Sequence, residues 1–209
     1  MWIMKKYGWT SRFLVLPLMP AALCIFILVL FVSCTAKPHP RIYHLGIMDP
    51  PIGQKTGRIP VVLLESPSLP RHLDRPQMVT RAGASELIVH EHHRWAAPID
   101  RLIRESLAAR MDARSHDFRI IPSELASAYS APLLRIGIQL LDFSADSHGE
   151  IRLSGIFFIK SPRQNMDEIP FDIRVVTPSL SPEALVASQS LALDGLSEMM
   201  LAELTPFIR

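Results

Sequence analysis

At 209 residues and 48% hydrophobic side chains, the chain can bury one full core. Its formal net charge is +2, but residues 1–33 hold Lys5, Lys6 and Arg12 and no acid, leaving 19 basic side chains against 20 acidic ones in the rest. That balance excludes the broad basic surface of a nucleic-acid-binding protein, and two cysteines, Cys24 and Cys34, both in or beside the apolar N-terminal run, exclude a disulfide or cysteine-built metal site from everything downstream.

The N-terminus reads as an export segment. A short basic stretch precedes Leu14–Val32, which is almost wholly apolar. At 19 residues this run is at the lower edge of what spans a bilayer as a helix. It ends in Leu30–Phe31–Val32–Ser33–Cys34, which resembles a lipobox, with Phe31 where leucine is usual. Cys34 is the expected lipidation site and the first residue after processing. The division expected is a signal segment over 1–33, a proline-containing tether over 34–41 and a domain over 42–209. The basic flank stays cytoplasmic, so residues 35–209 are expected outside the cytoplasm.

Ile42–Leu45 reads as the domain's first short strand. Asp49–Lys55 holds Pro50, Pro51 and Gly53 and reads as a loop. Ile59–Leu64 is a continuous apolar run, the pattern of a buried strand. Residues 69–100 then break the regularity, with Arg71, Asp74, Arg75, Arg81, Glu86, four histidines and Trp95. A connection this long without structure is rare. The segment therefore divides into short strands, Val79–Arg81 and Glu86–His90, around a turn at Gly83. Pro98 suits the first position of a helix. From there Ile99, Leu102, Ile103, Leu107 and Met111 recur at helical spacing, with Arg101, Arg104, Glu105 and Arg110 placed on the other side.

Phe118–Ile121 is a strand ended by Pro122. Leu133–Phe143 alternates, with Ile136, Ile138 and Leu140 on one face. Glu150–Lys160 follows a turn at Ser144–Gly149. It puts Ile151, Leu153, Phe157 and Ile159 on one face, and Ile156 and Phe158 on the other, so both faces read as covered. Ser161–Glu168 reads as a polar turn and Phe171–Val176 as a third strand, completing an antiparallel meander. Ser181 caps a last helix with Pro182 in its first position. Leu185, Ala192, Leu196, Met199 and Leu204 form its buried stripe and Pro206 ends it. Gly195, in mid-helix, implies close packing against the sheet. The fold class expected is α+β, a mostly antiparallel sheet with two main helices on one side.

Catalytic chemistry has little to stand on. His90–Glu91–His92–His93 is the densest ligand cluster, and on a strand His90 and His92 share a face. The zincin spacing of two histidines four apart on a helix is missing. Ser68, Ser85 and Ser106 lack a nucleophile-elbow context. No metal, cofactor or catalytic residue is assigned, and the chain reads as non-enzymatic. Glu91 and Arg94 are placed as a surface contact, Asp74 and Arg75 as an ion pair steadying the turn before Pro76, and Trp95 as the packing residue that pins the far end.

Leu73–Asp74–Arg75–Pro76–Gln77–Met78–Val79–Thr80–Arg81 resembles the signature YLDRPQIVTR of a bacterial lipoprotein family, and Glu86–Leu87 and His93–Pro98 are similar to its NEL and RWAEPL segments. Ala97 replaces the usual glutamate, Ser85 an asparagine, and Tyr43 and Leu45 match its YYTL opening. The family is the ABC-type transport auxiliary lipoproteins, the paraquat-inducible protein C group. The resemblance implies a lipid-anchored outer-membrane component, facing the periplasm, of an intermembrane lipid transport system. Its implied partners are a protein with mammalian-cell-entry domains and an integral inner-membrane component, in some systems with an ABC ATPase. It also implies a homo-oligomer. The motif residues Asp74, Arg75, Pro76, Gln77, Arg81, Glu86, Arg94 and Trp95 become the expected docking residues, on a fixed surface and not a lid. The competing reading is a periplasmic module that itself holds a lipid or other apolar ligand, with Ile156 and Phe158 as lining.

Overall fold

The structure is a computed structural model and describes residues 39–46, 59–129, 134–161 and 164–208. The apolar run, Cys34 and the Asp49–Lys55 loop lie outside the described residues. Residues 40–209 form a compact unit. Among the described residues no helix is long and apolar enough to cross a membrane.

One sheet contains eight strands: β1 Arg41–Tyr43, β2 Val61–Leu64, β3 Gln77–Arg81, β4 Leu87–Trp95, β5 Arg119–Pro122, β6 Leu134–Ala145, β7 Glu150–Ser161 and β8 Gln164–Val176. Two long helices are α1, Ile99–Arg114, and α2, Pro182–Ile208, and a short 3-10 helix covers Ser123–Ala128. The fold is mixed α+β, as the pattern of elements implies.

The long strand β6 organises the sheet. One of its edges pairs antiparallel with β7, which pairs antiparallel with β8. Its other edge is shared by one continuous stretch of chain. Val62–Leu64 pairs there in parallel with Leu134–Ile136, Ser68 bridges to Gln139, and Thr80 pairs with Ala145. The signature segment thus leaves the β6 edge after Ser68 and returns to it at β3. Beyond β3 come β4, antiparallel, and then β1, parallel to β4, while β5 lies parallel on the far side of β2.

The alternation in β6 holds as far as Leu140 and is then reset. Leu134, Ile136, Ile138 and Leu140 are buried, and so are Phe143 and Ala145, which have the opposite parity. A register shift between Leu140 and Asp142 inserts an extra residue and leaves Leu141 exposed. Gly155 pairs with Leu140 at this bulge. A Cβ on Gly155 would stand 2.2 Å from the Gln139 carbonyl oxygen, so no side chain fits. In β7, Ile151, Leu153, Phe157 and Ile159 all enter the core as their period-two spacing requires.

Both helices pack into one continuous core with the sheet. Leu102, Ile103, Leu107 and Met111 come from α1, and Leu185, Ala192, Leu193, Leu196, Met200 and Leu204 from α2. Within α2 Met200, not Met199, is the fully buried methionine; Met199 is half-buried. Ser181 caps α2 by accepting the Ala184 N–H at 3.3 Å. Gly195 packs on Ile173 of β8, with room for a Cβ at 3.6 Å from the nearest methyl. A smaller cluster of Val61, Leu63 and Ile121 is covered by Ala126 and Tyr129 from the 3-10 region.

Several expectations are corrected. Pro206 lies inside α2 instead of ending it. Strand β8 begins at Gln164, so most of the polar Ser161–Glu168 stretch is strand, with Phe157↔Ile169 and Phe158↔Glu168 in register. Hydrogen bonding along β7 outweighs the local polarity there. Arg104 and Arg110, placed by periodicity on the outer side of α1, are buried. Elements from distant sequence cover that flank and bring charge with them: Glu124 and Ser66 bind Arg104, and Asp194 of α2 lies 3.2 Å from Arg110 Nε. Burial holds the Arg110 pKa below its ordinary value, and Asp194 offsets only part of that. Ile156 and Phe158 are half-buried on the sheet face opposite the main core.

Candidate docking surface

The signature turn is held at both ends and tied inside. At one end Ser68 N–H donates to the Ile138 carbonyl at 2.9 Å, and Leu140 N–H donates back to Ser68 at 3.0 Å. Within the turn Leu73 N–H and Asp74 N–H donate to the Pro70 carbonyl at 2.9 and 3.3 Å, and Arg75 N–H to the Leu73 carbonyl at 2.8 Å. Leu73 is buried in the core while Arg71, His72, Asp74, Arg75 and Pro76 are exposed. At the other end Trp95 N–H donates to the Pro76 carbonyl at 2.8 Å. Backbone groups tied in this way do not hinge freely, which is the basis for a fixed surface.

Trp95 is 9% exposed and belongs to the main core. With Leu69, Leu73, Gln77, Val79, Ile99, Ile103, Phe143 and Gln189 it lines a cavity of about 10 Å³, room for a single water. The anticipated Asp74–Arg75 ion pair is not formed. Both side chains are exposed, and among the described residues neither has an ion-pair partner. Backbone hydrogen bonds and the buried Leu73 hold the turn instead. The expected Glu91–Arg94 contact is also different: Arg94 Nε reaches the Glu91 backbone carbonyl at 3.4 Å, and the Glu91 carboxylate accepts from Gln77 Nε2 at 3.2 Å.

Arg81 is the signature cation that is partly buried. Its guanidinium lies 3.0 Å from the Asp142 carboxylate on the β6 bulge, and Asp142 also accepts from Ser144 Oγ at 2.6 Å. Glu86 is exposed, and its carbonyl closes the β3–β4 hairpin by accepting Ala82 N–H at 3.0 Å.

The histidine cluster follows a different geometry from simple alternation. Met78 pairs with His90 but Gln77 pairs with Arg94, so β4 carries extra residues at a register shift. His90 and His93, not His90 and His92, come together, with ring centroids 6.1 Å apart and edge-on. His90 Nε2 bonds Thr80 Oγ1 at 2.9 Å. Burial, and then the charge of His93, push the His90 pKa below its ordinary value. His93 Nδ1 lies 3.0 Å from Tyr43 Oη, which donates to Glu183 Oε1 at 3.1 Å. Arg41 pairs with the same carboxylate at 2.9 Å. This network fastens β1 to β4 and to the first turn of α2, and sequence spacing gave no sign of Glu183. Among the described residues no three histidine, cysteine, aspartate or glutamate side chains gather as metal ligands. Ser106 Oγ donates to the Leu45 carbonyl at 2.6 Å, a buried structural bond.

The sequence profile of the ABC-type transport auxiliary lipoprotein component matches residues 43–200, three quarters of the chain. The chain belongs to this family. It is accordingly a non-enzymatic auxiliary component associated with ABC-type transport, of a family of lipoproteins. Two crystal structures share the fold. One, of an uncharacterised protein, is 15% identical with a TM-score of 0.68, covering 80% of this chain and all of that one. The other, of protein XCC0632 from Xanthomonas campestris, is 17% identical with a TM-score of 0.63, covering 80% of this chain and 96% of that one. No curated protein matches by sequence.

Proposed function

We propose that this auxiliary component docks the end of a lipid-transport conduit, built from mammalian-cell-entry domains, at the outer membrane. In this reading Cys34 carries the lipid anchor after removal of residues 1–33, residues 34–41 tether the domain, and the domain faces the periplasm. An integral inner-membrane component completes the system, and several copies of the chain surround the conduit. The observation that carries the docking role is the exposed turn of the signature, rigidly fastened at both ends and built from Arg71, Asp74, Arg75 and Pro76. Gln77, Arg81, Glu86, Arg94 and Trp95 support or flank it. The cavity under Trp95 has room for a water and not for an acyl chain, so it lends nothing to the alternative in which the domain itself holds lipid.

The experiment is affinity capture of the native protein from solubilised membranes, with mass spectrometry of what accompanies it. Transport-system proteins are expected; their absence counts against docking. In parallel, Cys34→Ser should block lipid attachment and leave the unprocessed chain in the inner membrane. Wild type and variant of equal processed mass and equal membrane fractionation would remove the anchor from this reading.

A further inference from the structure

Most described arginines meet a carboxylate: Arg41, Arg81, Arg101, Arg104, Arg110, Arg114, Arg135, Arg152 and Arg174 all lie within 4.0 Å of an acidic oxygen. Among the described residues Arg71, Arg75, Arg94 and Arg119 have no such partner. Three of these four belong to one region of the backbone. Arg71 and Arg75 stand on the signature turn, and Arg94 stands where β4 meets it, as the register partner of Gln77 and the neighbour of Trp95, whose N–H binds the Pro76 carbonyl. All three are exposed. Two acids lie nearby, Asp74 and Glu91, and among the described residues neither is ion-paired with these arginines; the Glu91 carboxylate accepts from the neutral Gln77 amide, so three cations stand against two anions and the region keeps a net positive charge.

We propose that this surface receives an acidic protein segment, its carboxylates bound by Arg71, Arg75 and Arg94 and one of its cations by Asp74. The proposal rests on the docking reading and gives the partner its chemistry. Guanidinium groups present planar paired donors that match carboxylate geometry. Exposed in the free protein and more weakly hydrated than an ammonium, they steer an anionic partner before contact and are desolvated at modest cost. The turn beneath them is already ordered by its backbone bonds, so little conformational freedom is lost on binding. An anionic bilayer would satisfy the arginines equally well. Asp74 decides between the two: in the middle of the turn, it would be repelled by a sheet of lipid phosphates, whereas a folded or extended protein segment can set a lysine or arginine opposite it.

The test uses the full chain and three probes: in zwitterionic detergent, a fluorescent all-glutamate peptide and the same peptide with one central lysine; and, after detergent is removed by reconstitution into phosphatidylcholine nanodiscs, phosphatidylglycerol vesicles. Wild type should bind the lysine-bearing peptide more tightly than the all-glutamate one. Arg75→Gln with Arg94→Gln should weaken both by about tenfold. Asp74→Asn should abolish the preference for lysine, and Arg119→Gln, the unpaired arginine on β5, should change nothing. An equal loss from Arg119→Gln, or none from the double variant, overturns the surface. Vesicle binding without peptide binding assigns it to a membrane and overturns the proposal. Capture of transport proteins by the double variant as efficiently as by wild type leaves docking intact and removes this surface from it. Peptide binding with the expected pattern, but no transport proteins captured by wild type, does the reverse.

Discussion

The signature segment, residues 69–97, and the β6–β7–β8 meander use charge in opposite ways. On the meander Arg152 pairs with Asp172 at 2.9 Å and Arg174 with Glu150 at 3.2 Å, cross-strand neighbours that satisfy each other on an open face. On the signature turn Asp74 and Arg75 are adjacent in sequence and, among the described residues, without ion-pair partners, and Arg71 and Arg94 add to a patch of net positive charge. Strands β7 and β8 of the meander pair these charges with each other, and the meander derives its stability from a regular apolar face. The turn derives its rigidity from backbone bonds, Leu73 and Trp95, which leaves its charges free for another molecule.

The sharpest way to break this contrast is Trp95→Ala. Loss of a large ring from the core should destabilise the domain by about 3–5 kcal/mol, measured by denaturant unfolding. A near-neutral result would mean that the signature segment is not pinned to the core. Next is Gly155→Ala in the meander, where a methyl collides with the Gln139 carbonyl at the bulge. A cost of about 1–3 kcal/mol or more is expected by the same method. An unchanged unfolding midpoint would show that the β6–β7 bulge is not tightly packed.

A pH titration of stability tests the histidine pair behind the turn. His90 has a depressed pKa in the folded chain because of burial and His93. Its contribution to stability is therefore complete above its ordinary value of 6.5 and is lost as the pH falls through the lower folded value. The unfolding midpoint should drop from about pH 7.5 to 5, and His90→Gln should flatten that drop. Equal slopes in the two proteins would clear His90 of the effect. The smallest change is expected from Arg75→Ala. An exposed, unpaired side chain should alter stability by no more than about 0.5 kcal/mol. A larger cost would mean that the turn does use its charge to hold itself.

Much of the meander could be read from residue order because strand burial has a period of two, and Ile151, Leu153, Phe157 and Ile159 obey it throughout. The first helix was legible for the same reason at a period near four. The bulge after Leu140 was not, because nothing local announces an extra residue; the pairing with β7 demands it. The signature turn could be recognised as a motif and Trp95 as its anchor, yet the Asp74–Arg75 pair inferred from adjacency is missing, since neighbouring residues on a tight turn need not point at each other.

Sequence by itself determined the elements whose hydrophobic faces are periodic, the capped start of α2 at Ser181, and the family through its signature. Tertiary structure alone decided which charges are used up. Arg104 and Arg110 look like surface residues of a helix until Glu124 and Asp194 fold against them. Arg71, Arg75 and Arg94 look no different in the chain and have no ion-pair partner among the described residues. The physical reason is that periodicity is a property of one element, whereas neutralisation of a charge depends on which distant element is packed beside it.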